Sequence, residues 1–502
     1  MQKIKWLAIP LVLIMVALTG CQAVSGFDVS KALLGSLKPV SSESKQTLTV
    51  QVVPATGNVS KEDQAAIDLI NSLAINVDSA KVQDSKNVSM KGSVDFKGNK
   101  LPFLMSMDTK GIGLQVEGAK QPIYISLDTA SLGYPQLNMN EEGIQNLTTK
   151  AAEFVLKHFP NPSVVTAGQV QEKVNGESLS LTNLHVEIRG DELFGLIKPF
   201  LSNIAKDEQG LKELLGIFYD TFYPMMNSMN ELSGEEKLPA EMTPDSKKAA
   251  IDEIYPELKK ELDKLLSNYD KEVADLLAET PELSTVLGKN TFLKLDVYFD
   301  GKLNIRKQKV DVNIALPVSP DVPITAIKVH SETEMWNHGG NITIDRVDTK
   351  AGTLDVSGGE VTPGQILRNF EAVTPLYKVL KDDMKLGHKS IVIDSLSDYY
   401  GLIHKDNTYY IPVRNLAEQL DAKVKWSERT GRLVVVNDLT GEEIVLTAGS
   451  KQATVGGKSV TLTKPVFTDK DGTTYVSLRF LAEALGATVS MDDDGWITVE
   501  RN

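Results

Sequence analysis

Apolar and polar positions alternate along this chain with two different periods, and the order of the periods predicts the elements. Ser60-Lys61-Glu62-Asp63 reads as a helix start, a serine cap with acids in the first turn, and Ile67, Ile70, Leu73 and Ala74 follow at helical spacing. Period-two runs come next at 88–96, 101–107, 112–116 and 123–127, separated by Gly, Asn and Pro turns, which predicts an antiparallel meander. Residues 141–159 return to the helical period through Ile144, Leu147, Ala151, Phe154 and Val155, and Pro160 and Pro162 stop them. Asn175-Gly176 marks a tight hairpin turn, followed by a largely alternating run at 179–188. Residues 191–232 are amphipathic, with breaks expected at Pro199 and Pro224.

A longer helix is predicted from Thr243-Pro244, with proline at its first position and Pro281 at its end. Its expected stripe is Ile251, Ile254, Leu258, Leu262, Leu265, Tyr269, Val273 and Leu276, bent at Pro256. Strands are expected again through Leu293, Leu295, Val297 and Phe299, through Val310, Val312, Ile314 and Leu316, and at 324–333 and 342–347. The fold class expected is α+β: a curved antiparallel sheet packed with amphipathic helices, over residues 48–385. This element order resembles the open-barrel lipid-carrier lipoproteins of the LolA and LppX type. The resemblance implies a bent sheet holding helices in its concave face, with room for acyl chains between them. The alternative is a solid α+β domain with no cavity.

Residues 386–502 contain a repeat. Tyr410-Ile411-Pro412-Val413-Arg414-Asn415-Leu416-Ala417-Glu418-Gln419-Leu420-Asp421-Ala422-Lys423-Val424 recurs 65 residues later as Tyr475-Val476-Ser477-Leu478-Arg479-Phe480-Leu481-Ala482-Glu483-Ala484-Leu485-Gly486-Ala487-Thr488-Val489. Each copy predicts a strand, a short helix and two further strands, so this region is a small β-rich domain of two strand-helix-strand-strand repeats. Leu416 and Leu420 share a helix face, as do Leu481 and Leu485. Arg414 and Glu418, and Arg479 and Glu483, stand four apart and can pair, a contribution of about 0.3–0.5 kcal/mol if exposed. The copies resemble the copper amine oxidase N-terminal-like, or stalk, domain, whose usual run is P-L-R-x-L-A-E-x-L-G-A-x-V-x-W. The first copy keeps Pro412 and Trp426 but has Asp421 in place of Gly; the second has Ser477 for Pro and Met491 for Trp, and ends in the strand opened by Trp496. The resemblance implies a non-catalytic accessory module of secreted and surface proteins of Gram-positive bacteria, with Tyr410, Arg414, Leu416, Glu418, Trp426, Tyr475, Arg479, Leu481, Glu483 and Trp496 in structural roles and no copper site.

The start of the chain changes the picture of where it works. Lys3 and Lys5 precede an apolar run of 12 residues from Leu7 to Leu18, broken only by Pro10. Such a run is too short for a bilayer, which needs roughly 20 residues, and fits a signal-peptide core. Leu18-Thr19-Gly20-Cys21 then resembles the lipobox of bacterial lipoproteins. That resemblance implies cleavage between Gly20 and Cys21, acylation of the Cys21 thiol with diacylglycerol (and palmitate-type chains), and residence on the extracytoplasmic face of the cell membrane. The expected organisation is a leader over 1–20, a lipidated tether over 21–47, the central domain over 48–385 and the stalk-like domain over 386–502. Ser41-Ser42-Glu43-Ser44-Lys45-Gln46 offers no core and is expected to belong to the tether.

Composition narrows the partners. The 502 residues carry a formal net charge of −14, with 41% hydrophobic and 24% charged residues and one cysteine, Cys21. An acidic chain is a poor match for nucleic acid and for anionic headgroups, so the expected membrane link is covalent. No disulfide can form within the chain.

The oxidase name invites one test. Copper amine oxidases build a quinone from the Tyr of an Asn-Tyr-Asp/Glu motif, and this chain has Asn268-Tyr269-Asp270. Tyr269, however, falls on the apolar stripe of its helix. The six histidines, His158, His185, His330, His338, His388 and His404, form no His-x-His pair and none lies three or four from another. No cofactor, metal or catalytic residue is expected. The expected function is a non-enzymatic membrane-anchored surface lipoprotein whose module contacts a cell-wall component or surface protein. The alternatives are a carrier of lipid or another apolar ligand, and a cell-wall hydrolase.

Overall fold

A computed structural model describes residues 27–37, 40–57, 59–127, 141–233, 244–319, 322–358, 361–395, 398–427 and 432–501. Cys21 and Gly20 lie outside the described residues. The chain is mixed α and β and divides into two compact units, one from residues up to 112 with 127–347, the other from 113–126 with 348–502. Among the described residues no helix is long and apolar enough to cross a membrane.

In the first unit, antiparallel strands run in the order Asn99–Met107, Val88–Phe96, Ala74–Val82, Ser42–Pro54, Ile324–Trp336, Ile305–Ala315, Phe292–Phe299, Glu177–Arg189 and Val164–Val174. Part of one sheet face is apolar. Leu184, Val186, Ile188, Leu295, Val297 and Phe299 point to that side and bury Val29 and Ala32 of the Val29–Ser36 helix and Leu193 and Leu196 of the Leu193–Lys206 helix. Burying such side chains contributes about 1.5–3 kcal/mol each. The alternate residues carry cross-strand charge pairs: His185 with Asp296 at 2.9 Å, Lys294 with Glu187 at 3.4 Å, and Lys307 with Glu172 at 3.1 Å and Glu332 at 2.9 Å. That second side is not all solvent: Lys307 is 6% exposed, and Val174, Leu181 and Tyr298 form a further buried cluster there. The Asn175-Gly176 turn has φ of 48° and 85°, the positive values a two-residue hairpin with the strand twist requires.

Several expectations need correction. Ser41-Gln46 is not tether: Ser42–Pro54 is a central strand, with Glu43 opposite Trp336 and Gln46 opposite both Thr333 and Val77. Its polar side chains find partners across the ladder, Lys45 with Glu334 at 3.0 Å and Gln46 Nε2 with Ser331 at 3.0 Å. Before it, the 29–36 helix, capped by Asp28 on the Lys31 amide, buries Val29 and Ala32 completely.

Pro199 and Pro224 do not break the helices; both lie inside them. The break falls at Asp207, between Leu193–Lys206 and Glu208–Ser233. Asp207 caps the second helix by accepting from the Gly210 amide at 3.0 Å, and its other oxygen takes Lys157 at 2.6 Å and His158 at 2.8 Å. The long helix is Pro244–Glu279, with Pro256 inside it. Its buried residues are Tyr255 and Tyr269, whereas Ile254 and Leu265 are exposed.

Residues 342–347 do not continue the meander. They join no ladder; Ile342, Ile344 and Val347 are buried, while the amides of Asp345 and Val347 donate to the hydroxyls of Ser89 and Ser106, each at 3.0 Å. Alternation marked the burial; serine hydroxyls on two strands took the place of a neighbouring strand.

Candidate functional site in the repeated module

The two repeat copies cross. Thr408–Pro412 pairs antiparallel with Thr474–Ser477, Tyr410 opposite Ser477, Ile411 opposite Val476 and Pro412 opposite Tyr475. Ile411 and Val476 hold the same place in the two copies, so a local twofold axis passes between them. Each strand runs into a short helix, Val413–Gln419 or Leu478–Ala484, and the two helices lie against each other. Leu416, Leu420, Leu481 and Leu485 are at most 1% exposed and form one core with Ile411, Val476, Ile393 and Val499. The turns after the helices take positive φ, 55° at Asp421 and 82° at Gly486.

The residues named from sequence fall into three groups. Tyr410 and Tyr475 are buried on one ring, Phe467: Tyr475 stacks on it and Tyr410 meets it edge-on, both with centroids 5.1 Å apart. Burial raises both phenol pKa values. Leu416 and Leu481 are core. Arg414 meets Glu418 at 2.6 Å on the exposed helix face, while Arg479 donates to the Val489 carbonyl at 3.1 Å and stands 3.9 Å from Glu483. Trp426 and Trp496 are outside the core, 55% and 45% exposed.

Crossing creates two grooves. The first, about 580 Å³, is lined by Val413, Arg414 and Asn415 of one helix, by Val424, Trp426 and Leu433 of the hairpin that follows it, and by Thr468, Gly472, Thr473 and Thr474 from the other copy. The second, about 430 Å³, has Leu478, Arg479 and Phe480, then Val489, Met491 and Ile497, and Asn407, Thr408 and Tyr409 from the first copy. The two grooves share a plan, a helix start and hairpin of one copy facing a turn of the other, and the second is lined in addition by Thr461, Leu462, Thr463, Lys464 and Glu483. The contribution of 468–474 had no local signal in the sequence. It follows only from pairing the two repeat strands.

Elsewhere, Tyr269 is 8% exposed, its hydroxyl donates to the Phe194 carbonyl at 3.0 Å, and burial, with Asp270 nearby, raises its pKa. His158, His185 and His330 each pair with a different aspartate, and His404 stacks on Tyr409. Among the described residues no three His, Cys, Asp or Glu side chains gather where a metal ion could be held.

No curated protein matches this chain. Residues 398–499, which hold both copies and both grooves, match the family described as copper amine oxidase N-terminal domain, a similarity that supports a non-catalytic module at this end of the chain.

Proposed function

We propose that this protein is a lipid-anchored, non-enzymatic surface protein whose C-terminal module binds a component of the cell envelope. The observation that carries the reading is the match of residues 398–499 to a domain that is the accessory part of an oxidase, not its catalytic part. The leader supports the location: a short apolar run before Leu18-Thr19-Gly20-Cys21 is suited to export and acylation, and acyl chains supply about 0.8 kcal/mol per buried methylene.

The test of location is growth with radiolabelled palmitate. Label is expected on the wild-type chain and not on Cys21→Ala, which leaves the membrane fraction or stalls with its leader uncut. A variant that stays membrane-bound at the wild-type mass overturns the anchor.

A second reading is a carrier of apolar ligand. It is favoured by the amphipathic helices packed on an apolar face of the sheet. Lipid in organic extracts of the purified chain, found by mass spectrometry, would put it first.

A further inference from the structure

We infer that the groove around Trp426 is a binding site for a neutral glycan chain, with the indole as its stacking platform. The inference rests on the reading of this module as a non-catalytic binding module, and adds the site and the chemical class of its ligand.

The chemistry of the lining points to sugar. A pyranose ring presents an apolar face of C–H bonds and a rim of hydroxyls. It is held by a flat, exposed aromatic ring flanked by uncharged hydrogen-bonding groups. Trp426 is such a ring, 55% exposed on a strand where Leu433 stands directly opposite. Across the groove, the Thr468 and Thr474 hydroxyls lie 3.3 Å apart, and the Asn415 side chain sits at the helix start. The mixed lining offers no deep apolar hole for a peptide anchor residue. Among the described residues the groove is lined by one cation, Arg414, which is already paired with Glu418 at 2.6 Å, and the chain as a whole is acidic. An anionic polymer would therefore be repelled, and a neutral glycan is left as the match.

The twofold sharpens the assignment. The second groove repeats the architecture but places Met491, 49% exposed, where the first has Trp426. A thioether is no platform for a sugar face, so the first groove is the glycan site and the second is its unfilled counterpart.

The test is calorimetric titration of the detergent-solubilised full chain with tetra-N-acetylchitotetraose and cellotetraose as neutral probes and polyglycerol phosphate as the anionic one. Saturable binding of a neutral probe is expected. Trp426→Ala should weaken it about tenfold or more, the worth of one aromatic stacking contact, and Trp426→Phe should keep most of it. Trp496→Ala should bind as wild type. Met491→Trp should add a second binding event per chain. Because Trp426 lies outside the core, far-UV circular dichroism of its variants is expected to match wild type. The inference is overturned by no binding of either neutral probe up to about 10 mM, by binding unchanged in Trp426→Ala, or by preference for polyglycerol phosphate. None of these readouts depends on acylation at Cys21, so failure here and failure of the anchor are separate results.

Discussion

Asp421 sits where the second repeat copy has Gly486, and its carboxylate faces Arg501, a guanidinium with no solvent exposure, at 3.5 Å. Arg501 also donates to the carbonyls of Leu420 at 2.6 Å and Gly387 at 3.3 Å, and Lys389 reaches the other Asp421 oxygen at 2.9 Å. The departure from glycine thus has a cause. One copy exchanged a strain-free left-handed residue for a charge, and the last strand supplied the counter-charge.

The pair predicts a strong coupling. Asp421→Gly leaves a buried cation unpaired, which costs about 3–5 kcal/mol. Arg501→Val removes the buried cation and leaves an apolar residue on the strand. The double variant is expected to recover more than half of the loss. Denaturant titration of the four proteins, followed by tryptophan emission, measures the coupling. Additive losses would show that the two charges do not support one another.

Asp207 gives the first unit an acid-sensitive joint. Its carboxyl is held well below the usual range, first by the hydrogen bond from Lys157, then by the Gly210 amide and by His158. A depressed carboxyl stabilises the fold above the unfolded value of about 3.9 and loses that contribution as pH falls below it. Asp207→Asn is expected to cost about 1 kcal/mol near neutral pH, the size of a cap, and to flatten the acid limb of the stability curve. An acid-unfolding profile parallel to wild type would refute this.

Lys307 makes the opposite case. Burial alone would pull its ammonium down, but the hydrogen bonds it donates to Glu332 and Glu172 outweigh it and the pKa is raised. A raised ammonium stabilises the fold below its ordinary value of about 10.4, and the contribution is lost as pH climbs through the folded value. Lys307→Met should therefore remove part of the alkaline sensitivity of unfolding. It should cost about 1–3 kcal/mol near neutral pH, because it leaves the partly buried carboxylates of Glu172 and Glu332 without their cation. Unchanged stability at pH 7, or an alkaline limb parallel to wild type, would count against it.

Tyr269 is expected to remain an ordinary tyrosine. Aerobic incubation of the purified chain with copper should give no visible quinone absorbance, no adduct with phenylhydrazine and no stoichiometric copper by metal analysis. Tyr269→Phe should cost about 1 kcal/mol through the lost hydrogen bond to Phe194. A coloured adduct in the wild type that Tyr269→Phe abolishes would reverse the assignment.

Much of the fold was legible where a local rule suffices. Ser60 caps its helix through the Asp63 amide, Asn175-Gly176 turns its hairpin, and the repeat strands, helices and turns lie where the copies align. What escaped depends on distant partners. Ser42–Gln46 reads as a linker because its polar side chains have no visible partner until Glu334 and Ser331 arrive from nearly 300 residues away. Pro199 reads as a stop, yet a proline costs a helix less than the packing of Leu193 and Leu196 returns. On the long helix Leu258, Leu262 and Tyr269 lie on the covered side as expected, but Tyr255 is buried in place of Ile254 and Leu265 is exposed, because the neighbouring helices set which side is covered. The groove was not legible: Trp426 reads as a structural residue of the repeat, and its opposing threonines belong to the other copy.

The crossed pairing of the two copies bears on how such a module can arise and be taken apart. A lone unit of about 65 residues has a helix start and a hairpin but no opposing turn, and half its strand ladder is unpaired. It would find what it lacks in a second molecule of itself. The duplicated gene segment therefore reads as a homodimer fused head to tail, with the fusion free to specialise one half. A protease cut in the stretch joining the halves would leave two pieces still holding each other, while deletion of either half would erase both clefts at once.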